Sequence, residues 1–193
     1  RFVSKAGPAA VLVSTRIRPD LPHDDRVLER LEPKYRNFKV EHGEDDVVLL
    51  NLYGLLYKEI TASSLVKIHV DGEIIWKPNT DYDINKSGYV IHGAIHKARP
   101  DVACVLHTHT RAGMAVAAMK CGLLPLSQTA IRFVGHIGYH DYEGPAVELD
   151  ERERLVRDLG PHDALIMRNH GLLTCGATIQ QAFNTMYQLE LSC

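Results

Sequence analysis

The chain lacks any apolar run approaching the roughly 18–20 residues that a membrane-spanning helix requires, so no membrane association of that kind is expected. It has little cysteine: Cys104, Cys121, Cys175 and Cys193 are its four, none in C-x-x-C spacing, and too sparse for a disulfide scaffold. A reducing, cytoplasmic setting is the expectation. It also lacks an excess of either charge. Lys and Arg number 22 against 24 Asp and Glu, leaving −2 with histidine neutral, which argues against a general nucleic-acid binder. Internal repeats and low-complexity tracts are missing. No signal-peptide pattern follows Arg1, and Cys193 falls inside a helical apolar pattern. We therefore expect a single domain over residues 1–193, trimmed at both ends. What is abundant is histidine, with eleven residues, half the number of Lys and Arg together.

The pattern along the chain predicts an α/β domain. Residues 9–17 read as a strand ending before Pro19, and 18–46 as a long polar loop with a short helix over 24–31. Strands follow at 47–52, 66–70 and 73–76, the last two joined by an Asp71-Gly72 hairpin turn. Apolar residues at helical spacing predict a helix over 89–97, then a buried strand over 102–106 and a helix over 112–119 closed by Gly122. Residues 123–126 and 130–134 read as loop or strand, and 137–142 as extended. A charged amphipathic helix covers 150–159, with strands at 164–167 and 172–175. Thr178 caps a last helix whose expected core face is Ile179, Ala182, Phe183, Met186 and Leu189. Helices appear singly between more numerous strands, which fits a layered domain around a mixed or antiparallel sheet.

His107 and His109 stand two apart at the end of the 102–106 strand. Alternation along a strand places both on one face, with Cα atoms roughly 7 Å apart. Imidazoles so placed can converge on one ion, and His170, at a second strand end in N-H-G, could complete an open tripod. Zn²⁺ suits such a set, and Fe²⁺ or Mn²⁺ fit it as well. His92 and His96 are four apart on a helix but lack the acidic residue of an H-E-x-x-H site. His96 is expected on the helix surface, and His92 near the pocket, where it could orient a loop or a ligand. Tyr139, His140 and Tyr142, with Asp141 and Glu143, form a polar cluster that could supply an acid or base or simply brace a corner. Gln128 could line the same pocket. Arg168 reads as a structural ion-pair partner, and Cys104 as core. His23, His42, His69 and His162 read as loop or turn residues.

The stretches I-H-K-A-R-P-D-V-A-C-V-L-H-T-H-T, G-L-L-P-L-S-Q, Y-H-D-Y-E-G and R-N-H-G-L-L-T-C-G, in this order, resemble the class II aldolase/adducin family. The resemblance runs from about Tyr53 to the end and is nearest to its adducin-like, bacterial-type branch. It implies a three-layer α/β/α fold around a largely antiparallel sheet, with a homotetramer whose sites lie at subunit boundaries. It also implies a divalent metal held by His107, His109 and His170. The family's sugar-phosphate aldolases carry an S-S-E-like segment before H-x-H. Here Lys86–Gly88 stands in its place, with Gly88 at the position of the basic glutamate. Ser87 is the hydroxyl that remains for substrate.

The expected function is a metal-dependent lyase cleaving a C–C bond in a small hydroxy- or oxo-carbonyl compound, the metal stabilising an enediolate. Ser87, Gln128 and His92 would bind substrate, and Tyr139, His140 or Tyr142 would move the proton. The alternatives are a non-catalytic adducin-like module with a cytoskeletal partner, and a metal-dependent oxygenase on the same scaffold.

Overall fold

The computed structural model describes residues 11–16, 47–55, 59–70, 72–84, 86–144 and 149–193. Eight strands make one sheet: β1 (Val11–Arg16), β2 (Val47–Asn51), β3 (Leu65–His69), β4 (Ile74–Trp76), β5 (Cys104–Thr108), β6 (Gly138–His140), β7 (Ala164–Met167) and β8 (Gly171–Gly176). Their spatial order is β4-β3-β2-β1-β5-β8-β7-β6. Every pairing is antiparallel except β6 with β7. The helices are α1 (Lys86–Ala98), α2 (Arg111–Ala118), α3 (Gln128–Ile131), α4 (Leu149–Leu159) and α5 (Ile179–Ser192).

Alternation along the central strands sorts the side chains into two cores. Val105, Leu165, Met167, Leu173 and Cys175 face α1 and α4, where they meet Ile91, Ile95, Leu155 and Leu159. Cys104, Leu106, Ala164, Ile166 and Leu172 face the opposite layer, with Val116 of α2, Phe133, and Ala182, Met186 and Leu189 of α5. The result is the three-layer α/β/α arrangement that the family resemblance implies. Among the described residues no helix is long and apolar enough to cross a membrane.

Some expectations fall outside the described residues, and others are corrected by the structure. The expected loop and short helix over 18–46 lie outside the described residues, as does Asp71 of the hairpin turn. Part of the 123–134 segment is helical, because the Ser127 hydroxyl accepts from the Ala130 amide (3.1 Å) and caps α3. His96 is fully buried rather than at the helix surface. Sheet and α4 enclose α1 together, so residues 88–96 are buried around its circumference. On α5 only Ala182, Met186 and Leu189 of the expected core face are buried, whereas Ile179 and Phe183 are 52% and 46% exposed. The stripe that meets the sheet is offset from the one drawn through Ile179 and Phe183.

Candidate metal centre

The segment H-T-H-T, residues 107–110, runs from the end of β5 into the start of α2. His107 shares the face of Val105, and Thr108 the face of Leu106. The neighbouring strand end is that of β8. His107 donates its Nδ1–H to the Leu172 carbonyl (2.8 Å), which places the proton on Nδ1 and leaves Nε2 as the lone pair facing His109. The two Nε2 atoms are 2.6 Å apart.

His170 arrives from the turn between β7 and β8. Asn169 occupies the left-handed region (φ 54°), a conformation asparagine tolerates better than most residues. Its amide donates to the Ala117 carbonyl (3.0 Å). Arg168 donates to the Met119 carbonyl (3.1 Å) and stacks on the Tyr139 ring at 4.8 Å. The end of α2 is thus tied to the turn that carries His170. Gly171 follows in the tightest place of the site: a Cβ there would lie 2.3 Å from the Thr108 carbonyl and 2.9 Å from His109 Cδ2. Only glycine lets β8 approach β5 this closely.

The three imidazoles form a near-equilateral cluster, with ring centroids 4.5, 4.7 and 4.7 Å apart. One ligand nitrogen from each lies within 4.8 Å of the others. His107 is buried, while His109 and His170 are half-buried, so the cluster opens on their side. Burial lowers all three pKa values. His107 falls to about 3, with further depression from His170 and His109, and His170 to about 4, with help from His109 and His140. All three are neutral at pH 7 and offer lone pairs. Neutral, convergent imidazoles are the donor set that a borderline divalent cation takes, so the residues present fit such an ion.

Beside His170 a small cleft is lined by His140, Asp141, Tyr142, Glu143 and Arg168. Tyr142 is 54% exposed, and its ring centroid lies 6.3 Å from that of His170. His140 is buried on β6 and donates its Nδ1–H to Asp158 on α4 (2.8 Å). Glu143 pairs with Arg154, whose hydrogen bonds hold its carboxyl below the usual range. The Tyr139 hydroxyl accepts from the Leu123 amide (3.1 Å), so this tyrosine braces a corner. His92 is buried in α1, and burial first, then its electrostatic interactions with His107 and His96, push its pKa well down. Gln128 is exposed at the start of α3. The side chain of Ser87 lies outside the described residues, and Gly88 is buried in α1.

Asp158 escaped the sequence reading. It lies 18 residues from His140 on another element, and nothing in the charged run of α4 distinguishes it from its neighbours. Asp158→Ala is expected to lower stability by about 1–3 kcal/mol, because it takes the acceptor from a buried imidazole N–H. Asp158→Asn, which keeps an oxygen acceptor, should lose less. Urea unfolding of the two variants checks this.

Fold and cluster together define a class, that of layered α/β proteins gathering three neutral imidazoles at adjoining strand ends. Residues 35–193 match the Class II Aldolase and Adducin N-terminal domain, and the chain belongs to that family. It is 44% identical over 153 residues to alpha-adducin of Rattus norvegicus, covering 79% of this chain and 21% of that one. A crystal structure of an aldolase II superfamily protein from Pseudomonas syringae is 46% identical, with TM-score 0.79, over 95% of this chain and 64% of that one. The L-fuculose 1-phosphate aldolase of Glaciozyma antarctica is 25% identical, with TM-score 0.72, over 95% and 61%. The chain spans less than two thirds of the length of each.

Proposed function

We propose that this chain carries a metal-dependent lyase site that cleaves a C–C bond, by aldol or decarboxylative chemistry, in a small hydroxy- or oxo-carbonyl compound. The observation that carries the reading is the set of three neutral imidazoles opening beside an exposed tyrosine. His107, His109 and His170 would hold the ion. A bound Zn²⁺, Fe²⁺ or Mn²⁺ supplies Lewis-acid polarisation of a carbonyl oxygen and stabilises the negative charge developing there. The residues around it do the rest. The Leu172 carbonyl keeps His107 in the tautomer whose Nε2 faces the site. Tyr142 holds a hydroxyl proton at the rim, next to His170. His140, oriented by Asp158, lines the same cleft and is the second proton-handling group. Likeness to the Glaciozyma antarctica aldolase supports the reaction class. A homotetramer, as the family resemblance implies, in a reducing cytoplasm, as the sparse cysteines suggest, belongs to the same reading.

Similarity to alpha-adducin supports a second reading, a non-catalytic interaction module with a cytoskeletal partner. Incubation of the chain with Zn²⁺, Fe²⁺ or Mn²⁺ and a panel of small hydroxy-carbonyl compounds separates the two. Under anaerobic conditions, mass spectrometry should detect paired cleavage products. Tyr142→Phe should lower kcat by roughly 100-fold with little change in KM. Metal-loaded protein that cleaves no member of the panel would favour the module, and product formed only in air would point to an oxygenase.

A further inference from the structure

The two histidines of H-T-H-T are not anchored alike. His107 lies within the β5–β8 ladder and donates to the Leu172 carbonyl. His109 lies beyond Thr108, the last residue that β5 pairs with β8 or with β1. The side chains on either side of His109 are both held from the opposite layer. Thr108 donates its hydroxyl to Oε1 of Glu190 on α5, and Thr110 donates to Oε2, each at 2.6 Å. One carboxylate therefore grips both neighbours of His109, with one oxygen for each. Both are short hydrogen bonds, at the length typical of a hydroxyl donating to a carboxylate. The Thr110 hydroxyl also accepts from the Gly113 amide (3.0 Å), so the same contact sets the first turn of α2. Thr108 further touches Met186 Sδ at 3.6 Å, one turn before Glu190 on α5.

We infer that Glu190 is a positioning residue for the metal centre. Through Thr108 and Thr110 it fixes the direction in which the chain leaves β5, and so the point from which His109 reaches toward His107 and His170. The inference rests on the reading of those three histidines as ligands. Glutamate is the residue type the arrangement requires. Its two oxygens accept from two hydroxyls at once, whereas a glutamine offers one carbonyl oxygen and an NH₂ that cannot accept. The alternation that turns the imidazoles to one side of the segment turns the threonines to the other, toward α5.

The test uses Co²⁺ as the probe, followed by its visible d–d absorption, on the 193-residue chain and on Glu190→Gln, Thr108→Val and Thr108→Ser. Thr108→Val keeps the shape and removes the donor, and Thr108→Ser keeps the donor. Glu190→Gln and Thr108→Val should weaken Co²⁺ binding by about tenfold or more and shift the absorption bands, while Thr108→Ser stays within about twofold of the unchanged chain. A purely structural role would lower the melting temperature of the metal-free variants and leave the affinity and bands of the folded protein unaltered. That result overturns the inference. If Glu190→Gln does not fold, the Val and Ser pair at position 108 decides alone. Absence of Co²⁺ binding by the unchanged chain would overturn the ligand reading itself, a failure visible before any Glu190 variant is compared.

Discussion

Replacing His107 and His109 together by alanine is expected to abolish metal binding, with elemental analysis by mass spectrometry falling from a stoichiometric ion to background. The two residues supply two of the three convergent nitrogens, and a lone imidazole at His170 holds a divalent ion far less tightly than a chelating set. Thermal unfolding provides a second readout. An ion that binds only the folded chain stabilises it by about 2.7 kcal/mol at a hundredfold excess over its Kd, so added Zn²⁺ should raise the melting temperature of the unchanged chain and leave the double variant unmoved. His107 is buried and its Nδ1–H satisfies the Leu172 carbonyl, so its removal also destabilises the fold, by about 1–3 kcal/mol. His109→Ala separates the effects, because this ring is half-buried and, among the described residues, its Nε2 has only the His107 Nε2 within hydrogen-bond distance. Stoichiometric metal in the folded double variant would show that the ion lies elsewhere.

Gly171→Ala is expected to damage fold and site together. The added Cβ would lie 2.3 Å from the Thr108 carbonyl oxygen, a backbone atom that cannot rotate away, and 2.9 and 3.3 Å from His109 Cδ2 and His107 Cε1. Relief requires β8 to move off β5, at the centre of the sheet. A loss of about 3 kcal/mol is the expected scale for such overpacking. That corresponds to a fall of roughly 6–12 °C in melting temperature for a chain of this size. Because the same motion draws His107 and His109 away from His170, the folded fraction should also lose its metal. Gly135→Ala is the control. Gly135 has φ 73° but nothing within 4 Å of a Cβ, so the change imposes backbone strain of about 1–2 kcal/mol with no clash and no effect on metal. Equal losses in the two variants would contradict the steric account.

Much of the frame is legible in the sequence. The apolar runs at 47–52 and 164–167 became β2 and β7, and Thr178 caps α5 by accepting from the Gln181 amide, as its position predicted. The pairing of His107 with His109 followed from strand alternation. The errors have a common physical origin. A helical repeat defines one apolar face and so predicts a surface position for His96, yet α1 is enclosed by sheet and by α4. The apolar pattern places Phe183 on the core face with Ala182, Met186 and Leu189, yet the rotation of α5 against the sheet buries those three and leaves Phe183 exposed.

Residue order alone determined the layered α/β frame, the strand end that offers two imidazoles on one side, and the glycine that permits close approach. Each is a local property, set by the two-residue alternation of strands, the 3.6-residue repeat of helices or the absence of a Cβ. Which strand ends meet is not local. The order β5-β8-β7 brings His170 against His107 and His109, α4 carries Asp158 to His140, and α5 returns Glu190 to Thr108 across 82 residues of chain. Those encounters depend on packing between layers, and only the tertiary structure decided them.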